Sequence, residues 1–418
     1  MNKNIKLAVA GAVLALSATA NAGIVIPAGD WTVDLGGNVN AFMANVDKET
    51  TTAAGVKTQA RDTNTIGTGL LPAAFGVGAK TRQNDIDTAI QFTFFTGTSS
   101  GDTGLALRNG SGAGNNTLNI RQAFLTFGDK SWGTFKLGRD LGIFGSDAIL
   151  SDMTLLGVGT GGAPGGSSTL GRIGSGYIYA DWKGQVSYAS PNFNGFQVSF
   201  GALENFGQAN QARKDFSYEG KVTYDFAASD VTGRIWVSGL SQKSEGNDAV
   251  AAASASGNAL PTGGTSWGTA AVAAVGAGNS YTSRGVDVGA KLTAGPATLV
   301  GYYYDGKGLD GQASVQGIFN RNGVKSDDDG GYVQGTVVVP GIGTKLGASW
   351  GRSNSKHAAS TFDIENESWV VGAYHPLTKH LNLVAEYTSQ EVKNKLATGT
   401  TVNKTEQDTA SIGAILFF

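Results

Sequence analysis

Hydrophobic and polar residues alternate along many short segments of this chain. Between Phe216 and Phe226, apolar residues or glycine occupy every second position, and Ser, Glu, Lys, Thr and Asp fill the positions between them. Segments 177–190 and 381–390 repeat the pattern, with Val384 as an exception in the second. A period of two predicts a β-strand with one apolar and one polar face. One such strand also suits a soluble sheet, but the recurrence favours a wall between lipid and water.

The last predicted strand ends at the last residue of the chain. Every second residue counted back from the terminus is apolar, and the set is Ala410, Ile412, Ala414, Leu416 and Phe418. Ser411 and Thr409 lie between them, although Ile415 and Phe417 break the alternation. A strand of about ten residues is long enough to cross a membrane when tilted. We therefore expect the terminal aromatic side chain at a membrane interface.

The pattern predicts sixteen strands in all. They lie near residues 31–44, 70–81, 86–97, 118–127, 132–139, 177–190, 194–204, 215–226, 230–240, 282–294, 297–305, 330–339, 344–353, 367–374, 380–390 and 408–418. Short turns alternate with long loops, which lie near 45–69, 98–117, 140–176, 205–214, 241–281, 306–329, 354–366 and 391–407. This rhythm predicts an all-β, up-and-down antiparallel transmembrane β-barrel, and an even strand number lets its edges pair.

The first 22 residues have the features of a cleaved signal peptide. Lys3 and Lys6 precede an apolar run at 7–16, and Ala20-Asn21-Ala22 forms a small-residue cleavage site. The alternative, a membrane anchor, would need about 20 apolar residues. We expect a signal peptide at 1–22 and one barrel domain at 23–418.

Composition narrows the classes of protein further. The chain has 63 Gly, 8 Pro and no Cys, so a disulfide scaffold is excluded. The formal net charge is −2 and no basic run is present, so nucleic acid is not an expected partner. The chain has only three histidines, without a Gly-x-Ser-x-Gly elbow or HExxH spacing, so we expect no enzyme, metal site or cofactor. The acidic run Asp327–Asp329 is interpreted as a solvated turn rather than a calcium loop.

Two segments resemble the general Gram-negative outer-membrane porins. Residues 124–139 look like the strand, turn and strand that lead into the third loop of these proteins. Residues 186–196 resemble the motif that follows that loop. With the strand number and the terminal Phe418, the resemblance covers essentially the whole mature chain. It implies a homotrimer of sixteen-stranded barrels, with a third loop near 140–176 folded into each lumen.

The same resemblance suggests a constriction with acidic and basic sides. The acidic candidates on the loop are Asp140, Asp147 and Asp152, and the basic candidates on the wall are Arg121, Lys136, Arg139, Arg82 and Arg172. Arg139 matches a wall arginine of the family. The family often has a further basic residue at the position after Tyr179, whereas this chain has Ala180 and Asp181. The basic cluster is then either smaller or partly supplied by Lys183. Each charged residue could equally be a solvated lumen or loop residue with no role at a constriction.

The predicted function is a water-filled outer-membrane channel for passive diffusion of small hydrophilic solutes and ions. Two alternatives remain: a substrate-selective channel of the same fold, and a structural or adhesive barrel with a plugged lumen. Tyr302–Tyr304 is the only hint of a binding ladder, and a girdle at the membrane interface is the favoured interpretation. By resemblance, the expected partners are membrane lipid, lipopolysaccharide and the barrel-assembly machinery, which would recognise the Ala410–Phe418 set.

Overall fold

The computed structural model describes residues 23–98, 118–160, 168–205, 211–212, 215–246, 280–309, 326–357, 363–396 and 399–418. The predicted signal peptide and most of the predicted loops at 98–117 and 241–281 lie outside these ranges. In the described residues, no helix has both the length and the apolar character needed to cross a bilayer.

Nineteen β-strands are present in the described ranges. The first ten are β1 Ile24–Ala28, β2 Trp31–Thr52, β3 Lys57–Gly67, β4 Ala73–Gln83, β5 Ile86–Thr96, β6 Asn119–Asp129, β7 Gly133–Leu141, β8 Trp182–Ala189, β9 Phe196–Leu203 and β10 Gln211–Ala212. The others are β11 Ser217–Ala228, β12 Val231–Gly246, β13 Ser280–Ala294, β14 Ala297–Lys307, β15 Ser326–Val338, β16 Lys345–His357, β17 Asp363–Pro376, β18 Leu381–Lys395 and β19 Thr401–Phe417. Helix α1 spans Ser146–Ser151, and a 3-10 helix spans Met153–Leu156.

These strands form one closed antiparallel barrel with sixteen positions in its wall. β3 and β4 both pair with β2, one after the other, and together make a single wall position interrupted at 68–72. The short strands β1 and β10 only extend the pairing at the ends of β2 and β12. Because β19 pairs with both β18 and β2, no edge strand remains, as a lipid environment requires. The predicted fold class is therefore confirmed.

The strands are longer than predicted at the long-loop end of the barrel. β2 continues to Thr52 and pairs with β3, so most of the predicted loop at 45–69 is a hairpin. The alternation fades there because both faces are polar, as in the ion pair of Glu49 with Lys57 at 2.6 Å. The backbone hydrogen bonds between β2 and β3 continue even though the side chains no longer alternate. Conversely, β8 begins at Trp182, because residues 177–181 are packed with the preceding segment instead of the sheet.

The two faces of each strand differ as the alternation predicted. On β14, Leu299 and Tyr303 are 62% and 51% exposed, whereas Tyr302 and Tyr304 are 5% and 0% exposed. In a closed barrel the exposed apolar face is the outer one. The girdle interpretation therefore suits Tyr303 only. Tyr302 and Tyr304 point inward, and the ring of Tyr302 packs with those of Trp236, Tyr304 and Tyr332.

Apolar residues that break the alternation share one environment. Val384, Ile415 and Phe417 point inward and form a cluster with Met153 and Val158. Met153 and Val158 belong to the segment between β7 and β8. The exceptions in the sequence pattern thus mark wall positions that this segment covers.

The terminal residue closes the barrel next to β2. The N–H of Phe418 donates to the carbonyl of Gly37 at 3.1 Å, and the N–H of Gly37 donates back at 2.9 Å. The ring of Phe418 stacks on Phe75 with 6.4 Å between centroids. A side chain at Gly37 would lie 3.0 Å from that ring, so glycine leaves room for the closure.

Candidate functional site

Segment 142–181 connects β7 to β8, and its described residues, 142–160 and 168–181, are attached to inward-facing side chains of the wall. Glu219 on β11 accepts hydrogen bonds from the N–H groups of Ile143 and Phe144 at 2.8 and 2.9 Å. Asp287 on β13 accepts from the N–H of Gly145 at 3.1 Å, and Gln334 on β15 accepts from that of Met153 at 2.7 Å. Polar wall side chains thus satisfy backbone groups that are buried away from water.

Glu386 on β18 is the next attachment along the segment. Its carboxylate accepts from the N–H groups of Val158 and Gly159 at 2.7 and 2.8 Å, and from the hydroxyl of Tyr374 at 2.6 Å. Gly157 lies so close that an added Cβ would come within 2.1 Å of this carboxylate. A side chain at this position would displace the Glu386 carboxylate from its hydrogen bonds, so glycine leaves room for this attachment.

The returning part of the segment is attached to β17 and β16. Arg172 donates from its guanidinium to the carbonyl of Ser368 at 2.8 Å, and Asn366 donates to the carbonyl of Gly174 at 2.7 Å. The hydroxyl of Ser353 accepts from the N–H of Gly176 at 3.1 Å. The described part of the segment therefore contacts the inner wall from β11 to β18.

Asp147 is the predicted acidic residue that meets basic residues of the wall. Its carboxylate, on α1, lies 2.5 Å from the ammonium of Lys221 on β11 and 3.2 Å from the guanidinium of Arg234 on β12. Arg234 also forms a bidentate ion pair with Asp225, in which Nε and Nη2 donate to the two carboxylate oxygens at 2.7 and 2.8 Å. Burial opposes the ionisation of Asp147, but Lys221 and Arg234 outweigh it and hold the pKa of this carboxyl below its ordinary value.

Sequence reasoning did not single out Lys221 and Arg234. Both occupy the polar phase of their strands, as the alternation in 215–226 and 230–240 indicates. The alternation shows that a charged side chain points inward, but it does not show whether that side chain contacts the segment or only water. The pairing with Asp147 spans 74 residues to Lys221 and 87 to Arg234, and it exists only in the folded barrel.

The other two acidic candidates occupy different environments. Asp140 lies in β7, not in the loop, and accepts hydrogen bonds from Gln122 at 2.7 Å and from Lys136 of the same strand. Asp152 is 4% exposed. It accepts from the N–H of Thr154 at 2.9 Å and from the hydroxyl of Tyr177 at 2.8 Å, so it caps the 3-10 helix from a buried position.

Three of the basic candidates lie near one another on β6 and β7. Lys136 points inward, over the ring of Phe124 at 4.9 Å. Arg121 is 5% exposed, lies over the ring of Phe95 at 4.8 Å, and occurs where the pairing of β5 with β6 shifts by one residue. Arg139 lies close enough to Arg121 for their charges to repel, and Tyr179 and Asp181 lie close to Arg121 as well.

Arg82 and Arg172 are not at the wall positions expected for a basic cluster. Arg82 lies beside a short turn and pairs with Asp87 at 2.9 Å and Asp129 at 2.8 Å. Arg172 belongs to segment 142–181 itself and is fully buried there. Lys183, the alternative source of positive charge, is buried in an ion pair with Glu219.

The acidic run at 327–329 is not a solvated turn. These residues are part of β15, and Asp328 is 2% exposed. Its carboxylate accepts from the N–H of Leu309 at 2.7 Å and the hydroxyl of Ser326 at 2.6 Å. Within the ranges that the structure describes, no group of three or more potential ligands is placed to hold a metal ion.

Comparison with known proteins agrees with this architecture. A family model described as Gram-negative porin matches residues 7–395. No curated protein sequence matches the chain.

Several solved structures share the fold. OmpT of Vibrio cholerae is 16% identical, with 94% of this chain and 100% of that chain covered and a TM-score of 0.57. An anion-selective porin from Comamonas acidovorans is 17% identical, with 93% and 100% covered and a TM-score of 0.58. The channel DcaP of Acinetobacter baumannii is 15% identical, with 95% and 100% covered and a TM-score of 0.59. At these identities the likeness concerns the fold alone.

Proposed function

The chain belongs to the Gram-negative porin family, and from that membership we propose that segment 142–181 forms the constriction of its channel. The protein is an outer-membrane channel for the diffusion of small solutes. We propose that transport is passive, that the protein is not an enzyme, and that small hydrophilic molecules and ions pass between the segment and the uncovered wall.

The attachment of the segment to the inner wall is the observation that supports this proposal. Its backbone N–H groups donate to side chains on four different strands, so the backbone is restrained at several points along its path. The four acceptors are Glu219, Asp287, Gln334 and Glu386. A restrained segment on the inner face reduces the cross-section of the cylinder. Pore width and the charges on both sides then select among solutes.

Solute uptake by reconstituted vesicles tests the function. Vesicles containing the purified protein are placed in a series of uncharged sugars of increasing size, and swelling is followed by light scattering. We expect the rate to fall steeply with solute size and to rise linearly with concentration. Saturation of the rate would favour a substrate-selective channel, and the absence of swelling with any solute would favour a plugged barrel.

Replacing Asp147 with asparagine is expected to shift the channel towards anions. The change removes one negative charge and leaves Lys221 and Arg234 less neutralised, so the ratio of anion to cation permeability should rise about threefold. Reversal potentials in planar bilayers measure this ratio. Asp327→Asn, on an exposed side chain paired with Lys307, is the matched control and should leave the ratio unchanged.

The pH dependence of this effect follows from the lowered pKa of Asp147. The ordinary pKa of an aspartate carboxyl is about 3.9. Because the pKa of Asp147 is lowered, its carboxylate stays charged at that pH and takes up a proton only when the pH falls through the lowered pKa. The difference between the natural protein and Asp147→Asn should therefore persist from pH 7 to pH 4.5. Its disappearance by pH 4.5 would contradict the assignment.

Further features of the family are proposed for this chain as well. One structure of OmpT from Vibrio cholerae is described as a trimer form, and we propose a homotrimer here. We also propose cleavage of residues 1–22 during export, contact with lipid and lipopolysaccharide, and recognition of the Ala410–Phe418 set by the barrel-assembly machinery. The mass of the detergent-extracted complex and its N-terminal sequence test the first two of these.

A further inference from the structure

Lys291 and Lys345 lie on the inner wall near the short turns, and neither has a carboxylate partner among the described residues. Lys291 on β13 is exposed on the inner face, in phase with Asp287 and opposite in phase to the outward Leu292. Lys345, the first residue of β16, also faces inward, and its ammonium lies over the ring of Tyr374 at 4.5 Å. The described wall holds neither ammonium in an ion pair, in contrast to Lys136, Lys183 and Lys221.

Both lysines lie on the short-turn side of segment 142–181. Lys291 is close to the end of β13 at Ala294, and Lys345 begins β16 directly after a short turn. Gly347, two residues further along β16, lies against the 3-10 helix, because an added Cβ would come within 2.6 Å of the sulfur of Met153. Lys345 is therefore next to the covered part of the wall, on its short-turn side.

The charge balance around these lysines is positive. Lys291 pairs in register with Arg234, and Arg234 shares Asp147 with Lys221. Lys291 is also close enough to Lys345 for their charges to repel. Four cations therefore share one region of the wall. Asp147 and Asp225 are the two carboxylates in ion-pair contact with members of this group. The inward positions between Lys291 and Lys345, on β14 and β15, carry no charge and include Val300 and Gln334.

More distant carboxylates reduce this positive potential only in part. Glu386 and Asp152 attract Lys345, and Lys291 repels it. Asp147 attracts Lys291, and Arg234 repels it. Glu386 and Asp152 already accept hydrogen bonds from the segment or from buried tyrosines, and Asp147 is paired with Lys221 and Arg234. In a narrow lumen with walls of low dielectric constant, the remaining field is focused on the solute path.

We infer that Lys291 and Lys345 set the ionic preference of this channel, by attracting small anions such as inorganic phosphate and short carboxylates to the short-turn side of segment 142–181. The inference rests on the proposed constriction and names the class of solute that it favours. The lysines act as specificity determinants, since they are inward, close to the covered wall and not neutralised locally.

Reversal potentials across planar bilayers under a potassium chloride gradient test this inference. The natural protein should prefer chloride, and Lys291→Gln and Lys345→Gln should each lower the anion-to-cation permeability ratio about threefold. Lys291→Arg should retain the natural ratio, because it keeps the charge. Lys307→Gln is the matched control. Lys307 is exposed at the long-loop end, so this substitution removes the same charge outside the lumen.

A second measurement uses inorganic phosphate as the probe. Phosphate added on either side should reduce the chloride current of the natural protein, and the reduction should weaken in the double variant Lys291→Gln, Lys345→Gln. A double variant with normal conductance, an unchanged permeability ratio and unchanged phosphate inhibition would overturn the inference and leave the channel function intact. No conductance from the natural protein would instead contradict the proposed function, and the inference with it.

Discussion

Replacing Glu386 with alanine is expected to raise single-channel conductance about twofold and to make the open level fluctuate. Glu386 is 5% exposed and accepts two N–H groups of segment 142–181 and the hydroxyl of Tyr374. Alanine leaves all three donors without this acceptor in a buried site. Each unsatisfied donor costs about 1–3 kcal/mol, which is enough to release this part of the segment from the wall.

Two further variants separate release of the segment from a simple loss of charge. Glu386→Gln keeps a carbonyl acceptor, so its conductance should lie close to the natural value. Glu406→Ala removes a carboxylate from the neighbouring strand β19, where the side chain is half exposed and paired with Lys404, and should have no effect. A Glu386→Ala protein that folds normally and has the natural conductance would show that the segment does not limit the current.

Deletion of Phe418 is expected to reduce folded protein in the outer membrane about tenfold. The deletion removes both backbone hydrogen bonds to Gly37 and the ring that stacks on Phe75, at the seam where β19 meets β2. The seam is the last pairing that closes the barrel, and an open edge in lipid leaves several costly unpaired backbone groups. The amount of protein with heat-modifiable electrophoretic mobility measures the folded fraction.

The matched control for this deletion is Phe418→Tyr, which keeps the backbone contacts and an aromatic ring. It should assemble normally. Refolding of the purified deletion variant into lipid vesicles separates a weaker seam from failed recognition during assembly, because the vesicles contain no assembly machinery. Natural levels of folded deletion variant in the membrane would contradict the role proposed for the terminal residue.

The fold was predictable because the side-chain period of a strand appears directly in the sequence. All sixteen wall strands coincide with predicted segments, and the inward and outward faces follow the alternation. The long-loop ends were not predictable in the same way, since β3 and the outer half of β2 are polar on both faces. These parts of the strands are paired by backbone hydrogen bonds, which do not require any particular order of side chains in the sequence.

The candidate site was less predictable, because its contacts join residues that are far apart in the chain. Asp147 was identified, but its partners Lys221 and Arg234 were not distinguished from other polar wall residues. Arg172 is among the wall candidates but belongs to the segment, and its position already lies within the predicted third loop at 140–176. The inward apolar residues Val384, Ile415 and Phe417, which break the alternation in the sequence, lie where the segment packs against the wall.

Single-cysteine variants at Lys291 and Leu292 test the central claim most directly. The natural chain has no cysteine, so each variant carries one reactive thiol. These neighbours on β13 point to opposite sides of the wall, one into the lumen and one towards lipid. A membrane-impermeant, negatively charged thiol reagent should change the current through the Lys291→Cys channel and leave the Leu292→Cys channel unaffected. Equal responses of the two variants, or no current from either, would contradict a water-filled barrel with a lipid-facing exterior.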